Sequence, residues 1–175
     1  MIAKEMLLQS IDKSYNDFIA FVNSLSESEF VFAEKNAWSA GQQLEHLVKS
    51  VAPLNTYMAL PNFAKKLAFG TNKSASKSYE VVVSDYLKVI DLGGKASKAF
   101  IPKTVGFSQR ENLNSKLKYI VTKLINSLNA LEEKNFDILR VPHPLLGKMT
   151  LREMLYFTEY HVKHHQASIL KNLKK

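Results

Sequence analysis

Histidine spacing near the C-terminus offers the clearest chemistry in this sequence. His161 and His165 lie four residues apart with His164 between them, so three of the five histidines fall in one short segment. On an α-helix a four-residue step turns about 400° and rises about 6 Å, which places two imidazoles on one face. Two neutral imidazoles so placed can chelate one transition-metal ion. The alternative is a pair of core histidines that bond to backbone or hydroxyl groups, because this spacing is a weak motif by itself.

A third candidate ligand, His46, lies far upstream of that pair. Helical periodicity places it on the flank of its segment, with Gln42 and Ser50, rather than on the main apolar stripe. That flank either lines a polar pocket or meets water, and the sequence leaves both open. Three histidines with an open coordination position would make a reactive metal site rather than a structural one.

The remaining histidines and the carboxylates fit simpler roles. His164 falls off the apolar stripe, so we expect it beside the site or at the surface. His143 stands between two prolines, which favours a rigid turn into the last helix. The pattern predicts ordinary helix-surface positions for the acidic residues near the histidines, which are Glu45, Glu153 and Glu159. No Ser-His-Asp order, glycine-rich phosphate loop or carboxylate pair stands out.

Composition limits the classes of function. The chain has no cysteine, so a metal site must use histidine, carboxylate or water, and any thiol must come from outside the chain. The net charge is +8, but the lysines are dispersed and only three arginines occur. This favours a solvated lysine-rich surface over specific nucleic-acid binding. The N-terminus lacks a secretory signal pattern and no apolar run reaches about 18 residues, so we expect a cytoplasmic location and no membrane association.

Apolar periodicity predicts the elements that must position the histidines. Residues repeating at three- and four-residue intervals predict helices over about 2–25, 39–60, 61–69, 79–90, 113–131 and 150–169. Ser39 and Thr150 are candidate N-caps, and Glu153 completes a capping-box spacing. Pro53 predicts a kink or break in the second helix. Residues 26–29 are predicted to end the first helix, and residues 70–77 are predicted to form a loop. The expected fold is therefore an all-α helical bundle with four main helices and short extra helices, forming one domain over residues 1–175.

Two groups of residues resemble the DinB-like (YfiT-type, damage-inducible) superfamily of helical bundles. The first group resembles the N-terminal signature of that family and comprises Trp38, Ser39, Gln42, Leu44, Glu45, His46 and Leu47. The second resembles its C-terminal half and comprises residues 143–153, Tyr156, Phe157, Thr158, His161 and His165. The order and spacing of these motifs match over nearly the whole chain.

The resemblance implies more than the residues alone do. It implies an up-down-down-up four-helix bundle that is often a homodimer. It also implies that three histidines bind a divalent metal ion, either nickel or zinc. These histidines map onto His46, His161 and His165. Some similar proteins transfer low-molecular-weight thiols, such as bacillithiol or mycothiol, to electrophiles. We therefore hypothesise a divalent-metal-dependent enzyme, a thiol S-transferase or a hydrolase, that acts on a small-molecule substrate. The alternatives are a non-catalytic metal- or ligand-binding protein of a stress response and a purely structural dimer.

Overall fold

The computed structural model describes residues 1–174 and confirms the all-α prediction. Within these residues the chain forms eight α-helices and one small hairpin. The helices are α1 (Lys4–Ser24), α2 (Glu27–Val31), α3 (Ala40–Ala59), α4 (Asn62–Phe69), α5 (Tyr79–Asp91), α6 (Arg110–Asn129), α7 (Lys134–Ile138) and α8 (Leu151–Leu173). The strands β1 (Arg140–His143) and β2 (Gly147–Thr150) pair antiparallel. Two 3-10 turns, Lys98–Phe100 and Phe107–Gln109, interrupt the connection between α5 and α6.

Helices α1 and α8 run in the same direction. The backbone N–H of Ile2, just before α1, donates to the Tyr156 hydroxyl at 3.1 Å, and further along both helices Ser14 donates to Glu159 at 3.1 Å. Helix α6 runs opposite to α1, since Arg110 at its start bonds the carbonyl of Leu25, just past the end of α1, at 2.8 Å.

Helix α3 runs opposite to α8. Gln43, early in α3, contacts Ser168 late in α8 at 3.4 Å, whereas His46, one turn further along α3, meets His161. Helices α3 and α6 therefore both oppose α1 and α8. This is the up-down-down-up order that the resemblance implies.

The predicted apolar stripes form the shared core. The buried residues of the long helices include Leu7, Ile11, Tyr15, Phe18 and Val22 on α1, Leu44, Leu47, Val48, Val51 and Leu54 on α3, and Leu117, Ile120, Val121, Leu124 and Leu128 on α6. Helix α3 continues through Pro53 without a break. Pro53 is exposed while Val51 and Leu54 on either side are buried, so core packing holds the helix together across the missing hydrogen bond.

Capping residues determine where the two histidine-bearing helices begin. Ser39 and Gln42 form a capping box at the start of α3, and Thr150 and Glu153 form another at the start of α8. Each box satisfies backbone N–H groups that the first helical turn leaves free. Both predicted N-caps are confirmed.

Three short elements were not predicted from the sequence. Residues 26–29 end α1, as expected, but they also form the capping box that starts α2, in which Ser26 accepts from the Glu29 N–H. Helix α7 has only five residues, too few to display a periodic stripe. The segment around Pro142 forms the hairpin, whose turn is stabilised by backbone N–H groups that donate to His143.

Arg152 is buried rather than part of the basic surface. Its guanidinium pairs with Asp137 at 2.7 Å and with Glu133 at 3.2 Å, and it donates to the Ile2 carbonyl at 2.8 Å. It therefore links the N-terminus, α7 and α8. In the part of the chain that the structure describes, no helix combines the length and the apolar character that a membrane crossing requires.

Candidate metal centre

Three histidines from two helices converge in the interior of the bundle. His46 comes from α3, and His161 and His165 come from α8. The Nε2 atom of His161 lies 3.4 Å from that of His46 and 3.0 Å from that of His165. Each of the three residues is only 5–6% exposed. The prediction that His161 and His165 face the core is confirmed, and the question left open for His46 is answered because it also points inward.

His46 is buried although it lies off the apolar stripe of α3, because α3 has two neighbours. One side of the helix packs on α6, where Asn55 bonds the Ile120 carbonyl at 2.9 Å. The flank that carries Gln43 and His46 packs on α8. A helix contacted on two sides buries a wider sector than its apolar stripe alone indicates.

Hydrogen bonds fix the tautomers of two of the rings. Nδ1 of His46 lies 2.7 Å from the Phe100 carbonyl, which can only accept, so this nitrogen carries the proton. Nδ1 of His165 lies 2.8 Å from Oε1 of Gln43 and donates to it. In both rings the proton is on Nδ1, so a lone pair on Nε2 is directed towards His161.

Burial keeps all three imidazoles neutral. It lowers the pKa of His46, and it lowers the pKa values of His161 and His165 well below the usual value, with further lowering from the neighbouring histidines. Neutral imidazole is the form that binds metal ions.

The cluster lacks protons for its own lone pairs. Nε2 of His161 can carry at most one proton, yet it faces an acceptor lone pair on His46 and another on His165. The Ser50 hydroxyl also approaches Nε2 of His46, at 3.4 Å, but its hydrogen is used in a shorter bond of 2.8 Å to the His46 carbonyl. Among residues 1–174, at least one buried lone pair of the cluster therefore lacks a hydrogen-bond donor, and a bound cation would satisfy it. The donor set fits a metal ion.

Aromatic rings surround the imidazoles. Phe157 stacks on His161 with ring centroids 4.7 Å apart, and Trp38 lies 5.0 Å from His46 and 6.4 Å from His165. Tyr86 meets His161 edge-on at 6.0 Å. These rings exclude water and lower the local dielectric constant, which strengthens any electrostatic interaction at the cluster.

The other two histidines lie outside the three-nitrogen cluster. His164 is partly buried beside Tyr86, with ring centroids 5.6 Å apart, and its ring centroid lies 5.5 Å from that of His165. The Nδ1 atom of His143 accepts from the backbone N–H groups of Leu145 and Leu146. His143 therefore stabilises a turn, as predicted, and His164 lies beside the site.

The surface positions predicted for Glu153 and Glu159 are wrong. Both are buried, because α8 packs against several elements and its polar flanks meet other parts of the chain. Glu153 accepts from the Lys77 N–H at 2.7 Å in addition to its capping bond. Glu45 is only partly exposed, since it accepts from the Lys103 N–H and pairs with Lys49 at 3.2 Å.

Two participants in the cluster were missed from the sequence. Gln43 precedes His46 by three residues, a helical spacing that places both on one face, so its role was detectable in principle. The Phe100 carbonyl was not detectable, because a backbone acceptor in an irregular connection has no side-chain signature.

A comparison with curated proteins finds no match to this chain. The sequence profile of the DinB superfamily matches residues 10–169, a range that contains all three clustered histidines. Together with the helical bundle described above, this match establishes that the chain belongs to the DinB superfamily.

Proposed function

We propose that His46, His161 and His165 bind one divalent metal ion. The observation that carries this proposal is the convergence of three buried, neutral Nε2 atoms, two of which belong to rings with fixed tautomers. Nitrogen ligands about 2.0–2.1 Å from one ion lie about 2.8–3.0 Å apart when they are adjacent in octahedral geometry and about 3.3–3.4 Å apart in tetrahedral geometry. The two distances from Nε2 of His161, 3.0 Å to His165 and 3.4 Å to His46, agree with these values, and the ligand atoms of all three residues lie within 4.8 Å of one another.

The chemistry of the donors favours nickel or zinc. Imidazole is a borderline ligand that suits both ions, and a chain without cysteine offers no thiolate. No carboxylate of residues 1–174 joins the three histidines in the cluster, which disfavours magnesium and calcium.

The proposed activity is thiol S-transfer to an electrophile, or hydrolysis, on a small-molecule substrate. When bound by three protein ligands, such an ion retains open positions and lowers the pKa of a thiol or of water, which supplies a nucleophile at neutral pH. The chain itself orients the imidazoles through Phe100 and Gln43 and excludes water with Trp38 and Phe157. Similarity to proteins that transfer low-molecular-weight thiols supports the first reaction.

One observation favours a second candidate, a non-catalytic metal- or ligand-binding protein that acts in a stress response. Among the described residues, no carboxylate lies in the cluster to act as general base, and Glu45 is occupied by its bonds to Lys49 and Lys103. Turnover separates the two candidates. We expect metal-loaded protein to conjugate a small thiol to a model electrophile faster than free metal with thiol does, and an equal rate would favour the binding protein.

Elemental analysis of protein purified without a histidine tag tests the metal site itself. We expect about one divalent ion per chain and almost none after the double substitution His161→Ala, His165→Ala. His164→Ala is the matched control, because His164 lies on the same helix beside the cluster and should leave occupancy unchanged. Full occupancy in the double variant would overturn the assignment.

We further propose a cytoplasmic homodimer. Large apolar side chains remain exposed on α4, with Phe63 74% and Leu67 87% exposed, and the similarity to dimeric family members supports self-association. Sedimentation equilibrium at several protein concentrations checks this, and a monomer throughout the range would contradict it.

A further inference from the structure

The side-chain amide of Gln43 makes contacts that determine its orientation. Gln43 is 2% exposed. Its Nε2 lies 3.3 Å from the carbonyl of Trp38 and 3.4 Å from the Ser168 hydroxyl, and its Oε1 lies 2.8 Å from Nδ1 of His165. The Trp38 carbonyl can only accept, so it must face the NH₂ group. Flipping the amide would place two carbonyl oxygens against each other.

With the amide oriented in this way, only one tautomer of His165 is compatible. The Oε1 atom accepts, so Nδ1 of His165 must carry the proton and Nε2 must present its lone pair to the cluster. The opposite tautomer would place two lone pairs together at 2.8 Å and a proton where a metal ion would bind.

We infer that Gln43 is a positioning residue that holds His165 in the Nδ1–H tautomer and so prepares its Nε2 for metal binding. This inference rests on the proposed metal site. His46 receives the same support from the Phe100 carbonyl, which no side-chain substitution can delete. The hydrogen bond from His165 to Gln43 can therefore be removed by a side-chain substitution, whereas the bond from His46 to the Phe100 carbonyl cannot. Outer partners of this kind typically change metal affinity by about 10–100-fold.

The test compares three variants. Gln43→Met keeps the length and approximate volume of the side chain but removes the acceptor. Gln43→Glu restores an acceptor at the same distance from the backbone. Gln166→Met is the matched control, because it makes the same chemical change on a glutamine that immediately follows His165 and is only partly buried.

Nitrogen-15 NMR of histidine-labelled, metal-free protein reports which ring nitrogen of His165 carries the proton. We expect Nδ1–H in the wild type, in Gln43→Glu and in Gln166→Met, and a shift towards Nε2–H in Gln43→Met. Competition with a chelator should then show nickel and zinc affinity reduced by about 10–100-fold in Gln43→Met and little changed in Gln166→Met. Gln43→Glu should recover at least part of the affinity. A side chain that only fills space would leave the tautomer unchanged.

Failure of this inference and failure of the metal site give different results. If Gln43→Met keeps the wild-type tautomer and affinity, Gln43 has no positioning role and the metal site stands. If Gln43→Met shifts the tautomer of His165 but the wild type binds neither ion, the metal site is overturned and the positioning of His165 by Gln43 is supported.

Discussion

Helix α8 buries polar groups on two faces, and the two faces differ in how fully those groups are satisfied. Glu159 and His161 are two positions apart, which separates them by about 200° around the helix axis. The Glu159 carboxylate accepts hydrogen bonds from Ser10, Ser14 and Tyr79. Its charge is balanced by Lys163, one turn along the same helix.

On the opposite face of α8, the lone pairs of the imidazole nitrogens outnumber the N–H groups that can donate to them. His161 meets His46 and His165 through ring nitrogens, and in the described part of the chain at least one of these nitrogens lacks a hydrogen-bond donor. The buried Glu159 carboxylate joins α1, α5 and α8 with its hydrogen bonds made, whereas under the proposed function a cation would complete the imidazole cluster. The comparison teaches that an incomplete set of hydrogen bonds, rather than burial or polarity itself, is the feature that supports a binding role for the imidazole cluster.

Removing an imidazole should have the largest effect on metal binding. His161→Ala deletes the ring that contacts both other ligands, so we expect affinity for nickel or zinc to fall by more than the roughly 100-fold seen when an outer partner is lost. Chelator competition measures this. Glu159→Gln serves as the control on the opposite face, and equal losses of affinity in the two variants would contradict the distinction between the faces.

Removing the carboxylate should instead reduce stability. Glu159→Ala leaves Ser10, Ser14 and Tyr79 without their common acceptor, at a cost of on the order of 2–4 kcal/mol in the free energy of unfolding. Denaturant unfolding of the metal-free protein checks this value. Metal affinity should change little, and a loss of binding without a loss of stability would reverse the assigned roles.

His143 extends the comparison to an imidazole whose Nδ1 lone pair is fully used. Burial lowers its pKa to about 4, so between pH 6.5 and 4 the unfolded chain binds a proton that the native state does not. Stability therefore falls as the pH is lowered through this window, by on the order of 3 kcal/mol at pH 4.

The variant His143→Asn isolates that contribution, because an asparagine side chain can accept from the same turn but does not titrate. We expect the metal-free variant to lose less stability than the wild type between pH 6.5 and 4 when unfolding is followed by circular dichroism. Identical pH profiles would show that His143 does not titrate in this way.

Metal loading should give the smallest of these effects. An ion at about 100 times its dissociation constant stabilises the native state by about 2.7 kcal/mol, which raises the melting temperature by roughly 5–10 °C for a chain of this size. A chelator should reverse the shift in the wild type and have no effect on the His161→Ala, His165→Ala double variant. A wild type that melts at the same temperature with and without chelator would indicate a complete, metal-free core.

Periodicity predicted the parts of the fold and of the site that depend on a single helix. His161 and His165 lie on the stripe that Leu151 and Ile169 define, so their inward direction followed from spacing alone. The direction of His46 depends on which helix packs against its flank, and periodicity within α3 does not contain that information. Only the resemblance placed His46 with the other two.

The burial of Glu159 was missed for the same reason. Its partners come from α1 and α5, and a single charged residue on the flank of an amphipathic helix has the pattern of a surface residue. The hairpin around Pro142 was missed because four-residue strands are too short to show alternation, and its prolines and glycine indicate only a break.

The sequence distance between His46 and His161, 115 residues, has a consequence for synthesis of the protein. At about 5–20 residues per second, a ribosome adds His161 roughly 6–23 s after His46. During that interval the α3 flank that carries Gln43 and His46 has no α8 to pack against. Before α8 is made, His46 is the only histidine of the cluster that is available to a metal ion. The complete set of ligands exists only once α8 has been made and has docked. Under the proposed function, correct metal loading therefore follows the synthesis and docking of α8.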